Sequence, residues 1–359
     1  MKPAPGRTRG VDWKAVVGIL LGAALLVYSL RGVPLAEVMD EIRRAHPLLF
    51  LASIAMATAP ILVRTWRWRA LLEPVKDTRF RSRWRASMIG FMANNVLPAR
   101  IGEFARAYAL SRMEPVPVVA SFGSLVVERL LDGVVIVGFF FLAMSLPGFP
   151  LAEAGGARFA LAARSVLILM AVAGILLVGM VIWPARTVAV VERVVGRVLP
   201  TSFRRPVVDG LSAFLAGLAA LRQPRLVARA AFWSVGVWLV NTYAFWLGFR
   251  AFGIAVPFSA ALFLQSLVAL AVALPSAPGF FGLWEAAARV GLHEIWGVEL
   301  EKALGFAIGF HMGSFLPVTV LGLYYAWRLG ISFGEVERSE DAVETAIEST
   351  SPPPERRAP

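Results

Sequence analysis

"NNVLPARIGE", residues 94–103, decides how this chain is folded. It joins two apolar or amphipathic stretches, 86–97 and 101–112, and it places two amides, a proline, an arginine and a glutamate between them. A second linker, "LPSAPGFFG" at 274–282, joins 257–274 to 281–292 in the same way. If each joined pair crosses a membrane twice, the chain is a plain bundle. If each turns back inside the membrane, the chain carries two half-membrane hairpins, and the topology of every other segment changes with them.

The surroundings are apolar. The 359 residues are 58% hydrophobic and 17% charged, with a mean hydropathy of +0.68; a soluble domain carries charge on about a quarter of its residues. Strong apolar windows lie at 15–30, 47–66, 117–145, 158–183, 226–251 and 302–327, each long enough for a hydrocarbon core of about 30 Å. This is an all-α polytopic membrane protein. The first window follows Lys2, Arg7, Arg9 and Lys14, but "VYSLRGVPL" offers no small-residue cleavage site, so it reads as an uncleaved helix.

The net charge of +12 does not indicate a nucleic-acid partner, because the basic residues flank the apolar windows and accompany no recognition motif. With no cysteine, disulfides, thiol catalysis and thiolate metal sites are excluded. His46, His293 and His311 are scattered without metal-ligand spacing, and there is no Walker A or GxSxG pattern. No metal, no cofactor and no catalytic residue are expected, and the oligomeric state is not readable.

Charge sets the orientation. Segment 64–85 holds eight Lys/Arg against Glu73 and Asp77, and 184–229 holds eight Arg against Glu192 and Asp209. The linkers 146–157 and 251–256 hold no Lys or Arg, so the basic loops and the basic amino terminus, 1–14, belong in the cytoplasm. The tryptophans and arginines of "RTWRWRALL" then suit an interfacial belt. Parity requires 86–112 to enter and leave from inside and 257–292 from outside. The expected fold is therefore six full spans plus two oppositely oriented re-entrant hairpins, with repeat halves of about 47–145 and 226–328 in inverted orientation. Eight simple spans are the alternative. Within a transmembrane domain of 15–330, segment 184–225 reads as cytoplasmic interfacial helices, and 331–359 as a disordered cytoplasmic tail.

The candidate groove follows from the polar residues of these segments. In the first hairpin Pro98 breaks the helix and Gly102 permits a tight path, beside Asn94, Asn95, Arg100, Glu103 and Arg106. An arginine fork beside freed amides suits a phosphate; alternatively, Arg100 and Glu103 pair with each other and the asparagines cap helix ends. In "VVERLLDGV", Glu128 and Asp132 share a helix face, with Arg129 three residues before Asp132. Three cations (Arg100, Arg106, Arg129) then balance three anions (Glu103, Glu128, Asp132), either as a lock between hairpin and span or as a polar path. In the second hairpin Pro275, Pro278, Gly279 and Gly282 shape the backbone, Ser276 lies at the tip, and Glu285–Arg289 reads as an i, i+4 pair. His311 reads as a hydrogen-bonded structural histidine more readily than a proton relay.

At "NNVLPARIGEFARAYAL", "VVERLLDGV" and "ALPSAPGFFGLWEAA" the chain resembles the lysylphosphatidylglycerol synthase transmembrane, or flippase-like, family, over nearly all of 10–330. The resemblance singles out Asn95, Pro98, Arg100, Gly102, Glu103, Glu128, Arg129, Asp132, Pro278 and Gly279. It implies a stand-alone lipid-handling module without the soluble transferase domain of bifunctional members. The function it implies is a lipid flippase or lipid-export facilitator in a bacterial inner membrane, with both termini cytoplasmic. The partners would be membrane lipids, anionic or polyprenyl-linked, and enzymes of lipid or glycan biosynthesis. A membrane-embedded enzyme acting on a lipid-linked substrate and an accessory subunit of such a pathway are the alternatives.

Overall fold

The computed structural model describes residues 13–97, 101–150, positions scattered between 161 and 182, and then 183–198, 201–273, 277–337 and 339. Pro98, Arg100, Pro275, Ser276 and most of the apolar window 158–183 fall outside the described residues. Among the described residues all regular structure is helical.

The helices are α1 (Trp13–Leu30), α2 (Leu35–Arg44), α3 (Pro47–Leu72), α4 (Phe80–Val96), α5 (Gly102–Met113), α6 (Val118–Ser145), α7 (Pro184–Val198), α8 (Thr201–Gly217), α9 (Pro224–Ala251), α10 (Phe258–Ala271), α11 (Leu283–Ala288), α12 (Leu300–Arg328) and α13 (Phe333–Glu337). α11 runs on as a π-helix over Arg289–Ile295. α3, α9 and α12 are long and apolar enough to cross a membrane. α6 is as long at 28 residues, but every 18-residue window in it contains Glu128, Arg129 and Asp132. Its three ionisable groups, not its length, set it apart. Large apolar side chains such as Leu48, Leu51, Phe232 and Val320 face outward, as lipid-facing surfaces require.

The repeat is visible in the contacts. α3 and α9, the spans that open the two halves, form the most extensive helix pair. The His46 N–H donates to the Ala251 carbonyl at 2.8 Å, while Arg229 reaches Glu73 at 3.3 Å at the opposite ends. α3 and α9 therefore run antiparallel, as corresponding spans of an inverted repeat do. α4, the first helix of one hairpin, packs on α12, the closing span of the other half. α10 likewise packs on α6. A two-fold exchange of the halves maps each contact onto the other.

The hairpin helices are short. α4 has 17 residues, α5 has 12 and α10 has 14, so at ~1.5 Å per residue they reach about 18–26 Å, less than a hydrocarbon core. In the first hairpin α4 and α5 cross at Gly90 and Gly102. A methyl group at Gly102 would overlap the Gly90 carbonyl oxygen and the Asn94 amide. We expect Gly102→Ala to destabilise the protein by about 1–3 kcal/mol through this overlap. Gly138→Ala, where nothing lies within 4 Å, should leave the melting temperature unchanged or slightly raised. Thermal melts of the two variants in detergent check this.

In the second hairpin the chain turns through Gly279, Phe280 and Gly282, all at positive φ (68°, 63° and 87°). A non-glycine residue such as Phe280 adopts that region only when its surroundings impose it. The Gly282 backbone lies against Gly22 of α1 so closely that a methyl group there would strike the Gly22 carbonyl. The 278–280 turn also packs on α4, so the two hairpins meet.

Four differences from the sequence reading stand out. α3 continues to Leu72, beyond the expected end at 66, and carries Arg64 and Arg67 into the bundle. Arg83 is also buried, donating to the carbonyls of Thr65 and Thr78. Three of the eight cations assigned to the 64–85 loop are therefore internal. Of the two tryptophans read as belt residues, Trp66 is exposed and Trp68 is fully buried. Lastly α2, bent 78° from the first helix, was not anticipated. Its ten residues are too few and too charged for an apolar window, yet Leu35, Val38, Met39 and Ile42 fall on one face and Val38 packs against Leu304 of α12. The segment from 331, expected to be disordered, begins with α13, where Val336 is buried and Glu335 meets Tyr108 and Arg112 of α5.

Candidate functional site

α6 presents Glu128 and Asp132 one helical turn apart, both essentially inaccessible (0% and 2% exposed). Four guanidinium groups surround them. Asp132 accepts from Arg64 at 2.6 Å, from Arg67 at 2.5 Å and from the Trp238 indole at 2.9 Å. Glu128 accepts from Arg106 at 2.6 Å and Arg129 at 3.1 Å, with Arg67 at 3.2 Å. Glu103, at the start of α5, faces Arg129 at 3.6 Å. Arg67 also donates to Ser234 at 2.7 Å, which ties α9 to the group. The Arg106 guanidinium stacks 3.9 Å above the Trp68 ring, whose N–H is held by Ser124.

The predicted three-against-three balance is thus corrected. Among the described residues Arg64, Arg67, Arg106 and Arg129 stand against Glu103, Glu128 and Asp132, an excess of one positive charge. Arg64 and Arg67 were missed because positive-inside counting placed them in a loop. A signal was present: Pro60, Ile61, Arg64, Arg67, Trp68 and Leu71 form one helical stripe, and all are buried. Several polar atoms of the cluster find no hydrogen-bond partner among the described residues: Nε of Arg67, Nε and Nη2 of Arg106, Nε of Arg129 and Oε2 of Glu128. Buried guanidinium donors are ordinarily satisfied.

Beside the cluster lies a cavity of about 270 Å³ between the two hairpins. The first hairpin contributes Phe91 and Asn95 to its wall, and the second contributes Gln265, Val268, Phe280 and Trp284. Arg64 and Trp238 belong both to this wall and to the ion cluster. The lining is mostly apolar, with Asn95, Asn241, Gln265, His311 and Ser314 as polar points.

The other expected site residues separate. Asn94 caps α5, accepting the Gly102 N–H at 2.8 Å. Asn95 turns to α12, donating to Thr319 at 2.8 Å. Adjacent amides thus have different tasks, one structural and one at the cavity. The Glu285–Arg289 pair does not form. Glu285 turns back to accept the Gly282 N–H at 2.7 Å and meets His311 at 2.7 Å, while Arg289 donates to the carbonyls of Tyr28, Ser29 and Arg31. The last turn of α1 leaves carbonyls unpaired, and the arginine satisfies them. Pro278 and Gly279 lie in the short turn at the hairpin tip, and Gly279 and Gly282 have positive φ. No group of three or more metal-ligating side chains occurs among the described residues.

With this geometry in view, comparison with known proteins gives a family. The model of the lysylphosphatidylglycerol synthase TM region matches residues 15–322, and the chain belongs to that family. It is 27% identical over 335 residues to the glycosyltransferase AglD of Haloferax volcanii, covering 86% of this chain and 53% of AglD, so it spans about half the length of that relative. It is 24% identical over 310 residues to a UPF0104 membrane protein of Methanothermobacter thermautotrophicus, covering 82% and 87% of the two chains. No solved structure matches.

Proposed function

Starting from that family membership, we propose that the chain moves an anionic lipid headgroup across the membrane through the cavity between the hairpins, with the acyl tails remaining in the bilayer. The observation that carries the reading is the charge-excess cluster. Four guanidinium groups face three carboxylates, with four buried N–H positions unpaired among the described residues, and Arg64 opens directly onto the cavity. A phosphate supplies the missing charge and the acceptors that guanidinium forks require. The apolar remainder of the wall suits the junction of headgroup and chain. This is a binding and passage device; no covalent step on the lipid is invoked, and the protein is read as a transporter rather than an enzyme.

The basic segments 69–85 and 186–229 favour a cytoplasmic position for the ends of α3 and α5, where α13 also docks. We place the protein in a bacterial inner membrane with both termini inside, on the charge rule. The match to part of a protein named as a glycosyltransferase favours, as a second reading, a polyprenyl-linked glycan as cargo or an accessory role beside its synthase.

The test is reconstitution into sealed vesicles containing fluorescent phosphatidylglycerol, followed by quenching of the outer leaflet. Movement of the lipid by the wild-type protein is expected. Arg129, 38% exposed at the rim of the cluster, is expected to matter less than the buried arginines: Arg129→Gln should slow movement about fivefold, equivalent to ~1 kcal/mol. A wild-type protein that moves neither this lipid nor a polyprenyl phosphate would overturn the reading.

A further inference from the structure

The ion cluster belongs to the first repeat. The corresponding place in the second repeat holds a different pair. In the first half, Arg106 on the outgoing helix of the hairpin meets Glu128 on the following span at 2.6 Å. In the second half, Glu285 on the outgoing helix of the hairpin meets His311 on the following span at 2.7 Å. Both pairs are buried and both fasten a hairpin to the span after it. They differ in one chemical respect. A guanidinium keeps its proton at every accessible pH, whereas an imidazole gains and loses one.

The hydrogen bonds around His311 fix how many protons the pair holds. Its Nε2 lies 2.9 Å from the Gly279 carbonyl oxygen, which can only accept, so Nε2 carries a hydrogen. Its Nδ1 lies 2.7 Å from Oε1 of Glu285, and a contact of that length between two such atoms requires one proton between them. The proton belongs either to an imidazolium facing a carboxylate or to a carboxylic acid facing a neutral ring; the net charge is zero in both. Oε2 of Glu285 is already engaged by the Gly282 N–H. The imidazole ring is stacked on Trp284 at 5.3 Å and lies 4.8 Å from the Phe281 ring.

Taking away the shared proton leaves the ring a single N–H for two acceptors, the Glu285 carboxylate and the Gly279 carbonyl. One of the two contacts must then be lost, at Glu285 or at Gly279, and both residues hold the tip of the second hairpin. His311 faces the cavity, which gives the proton a way in and out. Among the described residues lining that cavity, Arg64 of α3 is the other ionisable group; α4, α9 and α10 contribute Asn95, Asn241 and Gln265. Arg289 of α11 is turned away to the end of α1. On α2, which also packs against α12, Glu41 lies at Gly305 rather than at His311.

We propose that Glu285 and His311 form a one-proton binding site in the cavity wall that latches the second hairpin, so that the transport cycle takes up and releases a proton. The first hairpin is fastened permanently and the second conditionally. The coupling clause rests on the transport reading; the proton site does not.

The experiment is nitrogen NMR of histidine-labelled wild-type protein in lipid nanodiscs, followed across the pH range in which the protein stays folded. The chain has three histidines, and His311→Gln assigns the signal of interest by its disappearance. The expected result is a single one-proton step at His311, ending in a ring protonated on one nitrogen, with the step altered in Glu285→Gln. A His311 ring signal that stays in one state throughout, with the Glu285 carboxyl carbon signal of glutamate-labelled wild-type protein also unchanged, overturns the proposal, and these wild-type titrations decide it even if Glu285→Gln fails to fold. Vesicle assays at varied pH separate the two readings. A titrating His311 in a protein that moves no lipid leaves the proton site standing and removes the transport reading. Lipid movement independent of pH in the wild type overturns the coupling.

Discussion

Asp132→Asn is expected to lower stability by about 3–5 kcal/mol, the loss typical of removing one partner from a buried charge group. The reason lies in what the carboxylate holds: two guanidinium groups and an indole N–H converge on it from α3 and α9. An amide in its place turns an NH₂ toward one arginine and leaves a cluster already one positive charge in excess with two. Glu128 also reaches Arg67, at 3.2 Å, but it already accepts from Arg106 and Arg129 and cannot supply the second negative charge. The expected reading is a much lower melting temperature in detergent and poor recovery of folded protein. A normal melt would mean that water or lipid reaches Asp132 and that the cluster is not desolvated as its burial indicates.

Arg64→Gln should do the opposite: spare the fold and stop the function. Asp132 keeps Arg67 and Trp238, so the bundle retains its central anchor, and removing one cation brings the cluster to formal balance. But Arg64 is the cluster arginine that, among the described residues, also lines the cavity, lying 5.2 Å from the Trp238 ring and 5.8 Å from Phe91. A charge-assisted hydrogen bond of this kind contributes about 1.5–3 kcal/mol, so lipid movement should fall about 10- to 100-fold. Arg64→Lys should recover part of it, because the charge returns without the planar fork. Vesicle assays of the three proteins, normalised to folded amount, decide the matter. Equal rates in wild type and Arg64→Gln would mean that the excess charge is not a headgroup site.

Much of this architecture is legible in the residues, because a membrane enforces its pattern strongly. The long spans and the two broken pairs follow from apolar windows interrupted by proline and glycine. Glu128 and Asp132 announce themselves as charges within an otherwise apolar helix. Arg64 and Arg67 do not, since basic residues at the end of an apolar window look the same whether the helix stops or continues for two more turns. The sequence alone does not say that α3 reaches Leu72; the packing against α9 does. α2 is hidden for the converse reason, being amphipathic and short. Glu285–Arg289 has the spacing of an ion pair, and two unsatisfied backbone termini drew its members apart, one to Gly282 and one to α1. Asn94 and Asn95 show how far neighbours diverge once a helix face is assigned.

The central claim is that the space between the hairpins is a wet passage for a charged headgroup. Because the chain contains no native cysteine, single cysteines at Asn241 and Ser314, both in the cavity wall, can be introduced and treated in sealed vesicles with a small water-soluble thiol reagent. The account predicts that both react, and that glycerol phosphate slows the reaction at each. Cysteines at both positions that remain unmodified in a folded protein would show a dry cavity and contradict the account.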